Sequence, residues 1–154
     1  MGAAAVSQGA AAGTPAADES PTFSAHVGVR HLPAAPDATQ FESEIDLAPH
    51  LLNRAQVAHG GLIATLIDST MARAAGAAAA AMPGRSGRFA TVEMKIAYLG
   101  PGRGRLRARG WCLHRTASLT FCEAEVRDAQ ERLVAKGSAT FKHAAARARA
   151  APLP

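Results

Sequence analysis

The segment from His59 to Asp68 holds the residues that could most readily do chemistry. Asp68 lies within the run LIATLIDSTM, among mostly apolar neighbours. An unpaired carboxylate in such surroundings is costly, or it takes up a proton. We therefore expect Asp68 to have a partner or a reactive role. The alternative is a structural hydrogen bond to Ser69, Thr65 or a backbone donor at a packed interface.

The triplet His59, Gly60 and Gly61 comes directly before this apolar run. Two glycines remove side-chain bulk at the start of a helix, where free N–H groups and the positive end of the helix dipole lie. Such a turn could hold an oxyanion or a polarised carbonyl. The alternative is an ordinary helix start with His59 as the capping residue.

One helix and five strands are predicted to position these residues. Alternation in QFESEIDL (40–47) predicts a half-exposed strand, which Pro49 closes. The run after the glycines is apolar on nearly every side and predicts a buried helix that ends by Pro83 and Gly84. Four strand-like runs follow: RFATVEMKIAYL (88–99), GRLRARGWCLHR (104–115), SLTFCEAEVRD (118–128) and RLVAKGSATFK (132–142). One helix followed by such a meander predicts an α+β fold, an antiparallel sheet wrapped around the helix.

Length and composition predict one domain with two tails. A chain of 154 residues suits a single core, and 48% hydrophobic with only 5% aromatic residues implies a core of Ala, Val, Leu and Ile. Residues 1–20 are small and lack apolar periodicity, so we expect a disordered tail. The domain is predicted over 21–143 and a flexible tail over 144–154.

Several classes of protein are disfavoured by composition. There is no run of 18 apolar residues and no basic, leucine-rich start, so neither a membrane span nor a secretory signal is predicted, and we expect a cytoplasmic protein. Cys112 and Cys122 show no ligand spacing, and the histidines show no paired spacing, so no metal site is predicted.

The segment NRAQVAHGGLIATLIDSTMARAA resembles the signature of the phenylacetate-degradation type of hotdog-fold acyl-CoA thioesterases, N-x(5)-HGG-x(6)-D. The matching positions are Asn53, His59, Gly60, Gly61 and Asp68. RFATVEMKIAYLGPGRG also resembles the strand that follows the helix in that family, with Thr91 at the position of a site hydroxyl. The resemblance covers about residues 23–142. It departs at 77–88, which is longer than typical, and at Gln56, where relatives often have glycine.

This resemblance implies hydrolysis of an aromatic or medium-chain acyl-CoA. The N–H of Gly60 or Gly61 would bind the thioester carbonyl, and Asp68 would attack it or activate water. Asn53 would orient the water or the carbonyl, His59 would hold the turn or the sulfur side, and Thr91 would help to place the water or Asp68. No metal or organic cofactor is implied, and coenzyme A enters only as part of the substrate.

The spacing of the site residues predicts an oligomer. Gly60 and Asp68 are eight positions apart, which is about 12 Å along a helix, too far for both to reach one carbonyl carbon. In the family, two helices pair antiparallel so that the aspartate of one chain faces the HGG turn of the other. We therefore expect at least a homodimer, and by resemblance a homotetramer.

Basic residues are candidates for binding the substrate. The net charge of +5 and a pI near 10 favour anionic partners. Arginines at 103, 105, 107 and 109 alternate, so on a strand they would share one face, either solvated or in contact with coenzyme A phosphates. Arg103 and Arg105 are the substrate-binding candidates, and Gln56 is expected beside the acyl pocket. Nucleic acid is not an expected partner, because no recognition motif accompanies the charge.

Two other functions stay open. The same fold supports acyl-thioester hydratases or dehydratases, but those relatives carry their own histidine-rich turns. A non-catalytic acyl-CoA-binding protein is the other alternative, since fold alone does not guarantee activity.

Overall fold

The computed structural model describes residues 22–34, 39–81 and 85–145. The predicted tail over 1–20 lies outside the described residues, as does the second tail from residue 146 onward. Residues 144 and 145 still belong to the last strand. The last strand therefore ends two residues after the predicted boundary at 143, and the two predicted tails stay predictions.

The predicted helix and five strands are all present, together with three short elements that were not predicted. Because the new elements have four, two and three residues, they are too short to show a periodic pattern. In chain order the elements are α1 (Phe23–His26), β1 (Arg30–His31), β2 (Gln40–Asp46), a 3₁₀ turn (Pro49–Leu51), α2 (Gly60–Ala80), β3 (Arg85–Tyr98), β4 (Arg105–Arg115), β5 (Leu119–Asp128) and β6 (Leu133–Ala145).

The six strands form one antiparallel sheet in the order β1-β2-β4-β5-β6-β3. The meander β4-β5-β6 forms its centre, as neighbouring strands with short connections should. β3 follows the helix and pairs only with β6 among the described strands, with Met94 opposite Ala139. One long side of β3 is therefore a free edge of the sheet.

The helix α2 packs against one face of this sheet and forms the core with it. Leu66, Ile67 and Met71 are fully buried on the helix. Glycine lets the two layers approach closely, because a Cβ added at Gly137 would lie 2.8 Å from Ile67 Cγ2. Thr70 is also fully buried, and its hydroxyl donates to the Leu66 carbonyl at 2.7 Å. The α+β prediction of a sheet around one buried helix is confirmed.

The outer face of the sheet carries a ladder of ion pairs. Register places Glu42, Glu44 and Asp46 of β2 opposite the arginines at 109, 107 and 105 of β4. The nitrogen to oxygen distances are 3.0 Å for Arg109 and Glu42, and 2.7 Å for Arg105 and Asp46. The prediction that Arg103 shares this face is wrong. Arg103 lies before the start of β4 at Arg105. Gly104, with a φ of 64°, turns the chain between Arg103 and the strand.

No helix in the described ranges is long and apolar enough to span a membrane. A cytoplasmic location stays a prediction.

Candidate active site

The structure brings Asp68 and Thr91 together across 23 positions of sequence. Asp68 lies in the third turn of α2, and Thr91 lies on β3 with its side chain toward the helix. The Thr91 hydroxyl donates to Asp68 Oδ1 at 3.0 Å. Asp68 forms no ion pair with any described residue. Among the described residues, the carboxylate therefore has one neutral donor and no cation that cancels its charge.

A surface groove of about 510 Å³ opens beside Asp68. Met94, Ala64 and Phe23 supply apolar surface, and hydroxyl groups supply the rest. The hydroxyl-bearing residues that line the groove are Thr22, Ser24, Thr65 and Ser69. Asp68 is half-buried at this groove. The surroundings are therefore more polar than the apolar run suggested, because hydroxyl groups of α2 itself and of the segment that begins α1 lie at this face.

At the start of α2, the backbone N–H groups of Gly60 and Gly61 have different partners. The N–H of Gly61 donates to His59 Nδ1 at 3.0 Å, so the histidine caps the helix through this ring nitrogen. In a neutral ring the proton then lies on Nε2. The N–H of Gly60 has no acceptor among the described residues. It is the donor that a bound carbonyl could use.

Tyr98 supports the same turn from β3. Its hydroxyl donates to the Gly60 carbonyl at 3.0 Å. A Cβ added at Gly60 would meet the Tyr98 ring only at 3.5 Å, an ordinary contact. Packing within the chain therefore does not demand glycine at position 60. Space for a ligand at the backbone is the better reason for it.

The loop before α2 holds Asn53 and Gln56. Asn53 Oδ1 accepts from the N–H groups of Ala55 at 2.9 Å and Val57 at 3.4 Å, so the oxygen closes the loop. The side-chain nitrogen of Asn53 has no partner among the described residues. Gln56 has a φ of 56°, a left-handed backbone conformation that favours glycine.

The two arginines predicted to bind substrate lie in different places. Arg103 donates from Nη1 to the Gln56 carbonyl at 3.0 Å, beside the loop that leads into α2. Arg105 lies on the outer face, where its Nε donates to Asp46 Oδ1 at 2.7 Å. The structure therefore joins Arg103 with Gln56 and leaves Arg105 apart from them.

Gly60 and Asp68 lie on the same helix, so one chain does not bring them to one point. The distance along the axis is about 12 Å for eight residues. The described chain thus contains two half-sites. One half-site is the Asp68 carboxylate with Thr91. The other is the helix start, where the N–H of Gly60 has no acceptor among the described residues and His59 caps Gly61.

Several residues near these half-sites were not predicted. Among them, Phe23 lines the groove at Asp68, and Tyr98 binds the helix start. Tyr98 is the one tyrosine of the chain, which is a weak signal, and nothing in the local sequence distinguishes Phe23. Within the described residues, no cluster of three His, Cys, Asp or Glu side chains could hold a metal ion.

The chain is similar to a known protein family and to several solved structures. Residues 55–135 match the thioesterase superfamily. The conserved protein PA5202 from Pseudomonas aeruginosa is 34% identical, with 79% of this chain and 93% of that chain covered and a TM-score of 0.66. BH2602 from Bacillus halodurans, solved with CoA, is 28% identical over 82% of this chain and 79% of that one, with a TM-score of 0.67.

A further similarity concerns the fold alone. The Escherichia coli PaaI protein from the phenylacetic acid degradation operon is 18% identical over 80% of this chain and 84% of that chain, with a TM-score of 0.67. No curated protein matches the chain. From the family match, the identity to the Pseudomonas aeruginosa protein and the shared fold, we conclude that the chain belongs to the thioesterase superfamily, with the hotdog fold.

Proposed function

We propose that the protein is an acyl-CoA thioesterase that hydrolyses an aromatic or medium-chain acyl-CoA to the free acid and CoA. The observation that carries the proposal is the placement of Asp68, a half-buried carboxylate held by the Thr91 hydroxyl at a groove and without a cationic partner among the described residues. Such a carboxylate keeps lone pairs available for attack or for proton abstraction.

The free N–H of Gly60 would bind the thioester carbonyl. Its position at the first residue of α2 aims a donor and the positive end of the helix dipole at the developing oxyanion. The N–H of Gly61 is already bound by His59, so Gly60 is the better donor of the two. Asp68 would then attack the carbonyl carbon or take a proton from an attacking water. Collapse of the tetrahedral intermediate breaks the C–S bond, and the CoA thiolate leaves and takes up a proton. When water attacks, this step gives the free acid directly. When Asp68 attacks, it gives an anhydride between Asp68 and the acyl group, which water then hydrolyses to the free acid and the restored carboxylate.

A complete site would need two chains, with Asp68 of one facing the Gly60 turn of the other. The free edge of β3 is the surface that supports such a dimer. Val92 and Tyr98 on this strand, and Leu99 just after it, are each more than half exposed. A long edge strand with exposed apolar side chains is a typical pairing surface. We propose a homodimer through this edge with antiparallel α2 helices. The homotetramer rests on the resemblance.

Arg103 is the better of the two arginine candidates for the phosphates of coenzyme A. Its guanidinium lies beside the loop that leads to the helix start and makes a bond to a neutral carbonyl, so its charge is not neutralised there. Arg105 is already paired with a carboxylate. BH2602, solved with CoA, supports coenzyme A as the ligand class. No metal or organic cofactor enters this mechanism.

The test is release of free thiol from a panel of aromatic and straight-chain acyl-CoAs. Wild type and Asp68→Asn are compared after both have been shown to have the same oligomeric mass. We expect wild type to hydrolyse part of the panel and the variant to lose about a hundredfold or more in turnover. If both bind acyl-CoA and neither releases thiol, the protein is a binding protein and Asp68 is structural. A monomer with full activity at assay dilution would refute the two-chain site.

A further inference from the structure

Phe23, on the short helix α1, lies between the two half-sites. It lines the groove at Asp68, and it also lines a second groove of about 280 Å³ beside His59 and Gly61. Among the lining residues, only Phe23 and Thr65 belong to both grooves. Phe23 therefore stands at the boundary between the groove at Asp68 and the groove beside the helix start of the same chain.

The helix places this boundary close to the reacting group. Gly61, Thr65 and Asp68 follow one another at spacings of four and three residues, so they lie along one stripe of α2. Thr65 is three residues from Asp68, about 4.5 Å along the axis. The Phe23 ring lines both grooves together with Thr65, so it lies near this level of the helix. The distance along the axis from there to Asp68 is no longer than a short acyl group.

The high exposure of Phe23 is typical of a residue that lines a groove and not of a core residue. Its side chain is 69% exposed, the highest value among the exposed large hydrophobic residues of the described chain. Apolar neighbours are available on both sides, with Met94 and Ala64 in one groove and Leu51 and Leu62 in the other. A ligand that fills either groove would cover the ring and gain the burial of its apolar area.

We propose that Phe23 sets the acyl-chain length that this protein accepts, by closing the acyl end of the groove at Asp68 against the neighbouring groove. This inference rests on the proposed function and adds a specificity-determining residue to it. Removal of the ring would join the two grooves, so longer acyl groups could extend past Thr65. A larger ring would shorten the preferred chain.

The experiment compares wild type, Phe23→Ala and Phe23→Trp on straight-chain acyl-CoAs from acetyl to palmitoyl. We expect Phe23→Ala to raise the ratio of kcat/KM for long over short chains about tenfold. The kcat/KM of the shortest thioester is the reference value for this ratio in each variant. Phe23→Trp should move the ratio in the opposite direction. Leu113→Ala is the control, since Leu113 is 58% exposed and lines neither groove.

Binding of S-alkyl-CoA thioethers, which cannot be hydrolysed, separates this inference from the proposed function. If wild type releases no thiol but Phe23→Ala still shifts thioether binding toward longer chains, the thioesterase proposal fails and the role of Phe23 stands. If Asp68→Asn abolishes turnover while Phe23→Ala leaves the chain-length ratio at the wild-type value, the role of Phe23 is refuted alone. Absence of both turnover and thioether binding overturns both.

Discussion

The groove at Asp68 and the outer face of the sheet both present partly exposed carboxylates, but in opposite electrostatic settings. Asp46 on the outer face accepts hydrogen bonds from Arg105 and Arg30, each at a shortest distance of 2.7 Å. These guanidinium groups lower the pKa of Asp46 to about 2. Asp68 accepts from the neutral hydroxyl of Thr91 and has no ion pair with a described residue.

This difference separates a carboxylate that supports the fold from one that is available for chemistry. Two cations satisfy the charge of Asp46 and make it a poor base and nucleophile. A single hydroxyl orients Asp68 and leaves its second oxygen without a partner in the described chain. Position in the fold, rather than residue type, therefore decides which aspartate is left without a cationic partner among the described residues.

The largest contrast should come from the same substitution made in both regions. Asp68→Asn should lower kcat by about a hundredfold or more, because it removes the reacting carboxylate. Asp46→Asn should leave kcat close to the wild-type value, because Asp46 lies on the face of the sheet away from α2. Thiol release measured on both variants at equal oligomeric mass checks this. Equal losses in the two variants would contradict the assignment of Asp68.

A smaller effect on activity is expected when the hydroxyl that donates to Asp68 is removed. Thr91→Val removes the hydroxyl at nearly constant volume, and a hydrogen bond to a charged group is worth about tenfold in rate. Thr91→Ser keeps the hydroxyl and should retain most of the activity. Steady-state kinetics on a single good substrate would show the difference. If the valine variant is as active as wild type, Thr91 does not orient the carboxylate.

The smallest effect concerns stability in acid. The pKa of Asp46 lies below its ordinary value of 3.8 in the folded protein. Its ion pairs therefore stabilise the fold above pH 4, and this contribution is lost as the pH falls from about 4 to about 2. In Asp46→Asn, the melting temperature should therefore depend less steeply on pH between about 4 and about 2 than in wild type. Thermal unfolding followed from pH 5 to pH 2, at about 0.1 M salt and again at about 1 M, measures it.

The same measurement on Asp68→Asn is the control for that window. A change in acid stability as large as that of Asp46→Asn would show that Asp68 also serves the fold. The contrast between the two carboxylates would then fail, even if the kinetic results agree with it.

Much of the architecture was predictable because it follows from the pattern of apolar and polar residues within each segment. Alternation in β2 and the four later strands, and the continuous apolar run of α2, follow from the backbone periods of strands and helices. The helix start at Gly60 was also readable, since glycines and a capping residue mark such a turn. Short elements such as α1 and β1 were not predicted because they span only about one period, so no pattern repeats within them.

The sequence by itself determined the α+β class, the buried helix and the residues Gly60, Gly61 and Asp68 as candidates, because these depend on neighbours along the chain. Tertiary structure alone decided which groups meet. It brought Thr91 to Asp68, Tyr98 to the carbonyl of Gly60 and Phe23 between the grooves. It also assigned Arg105 to Asp46 rather than to the loop beside Gln56. Such contacts depend on sheet order and strand register, which arise from packing the whole domain and are not written in any short segment.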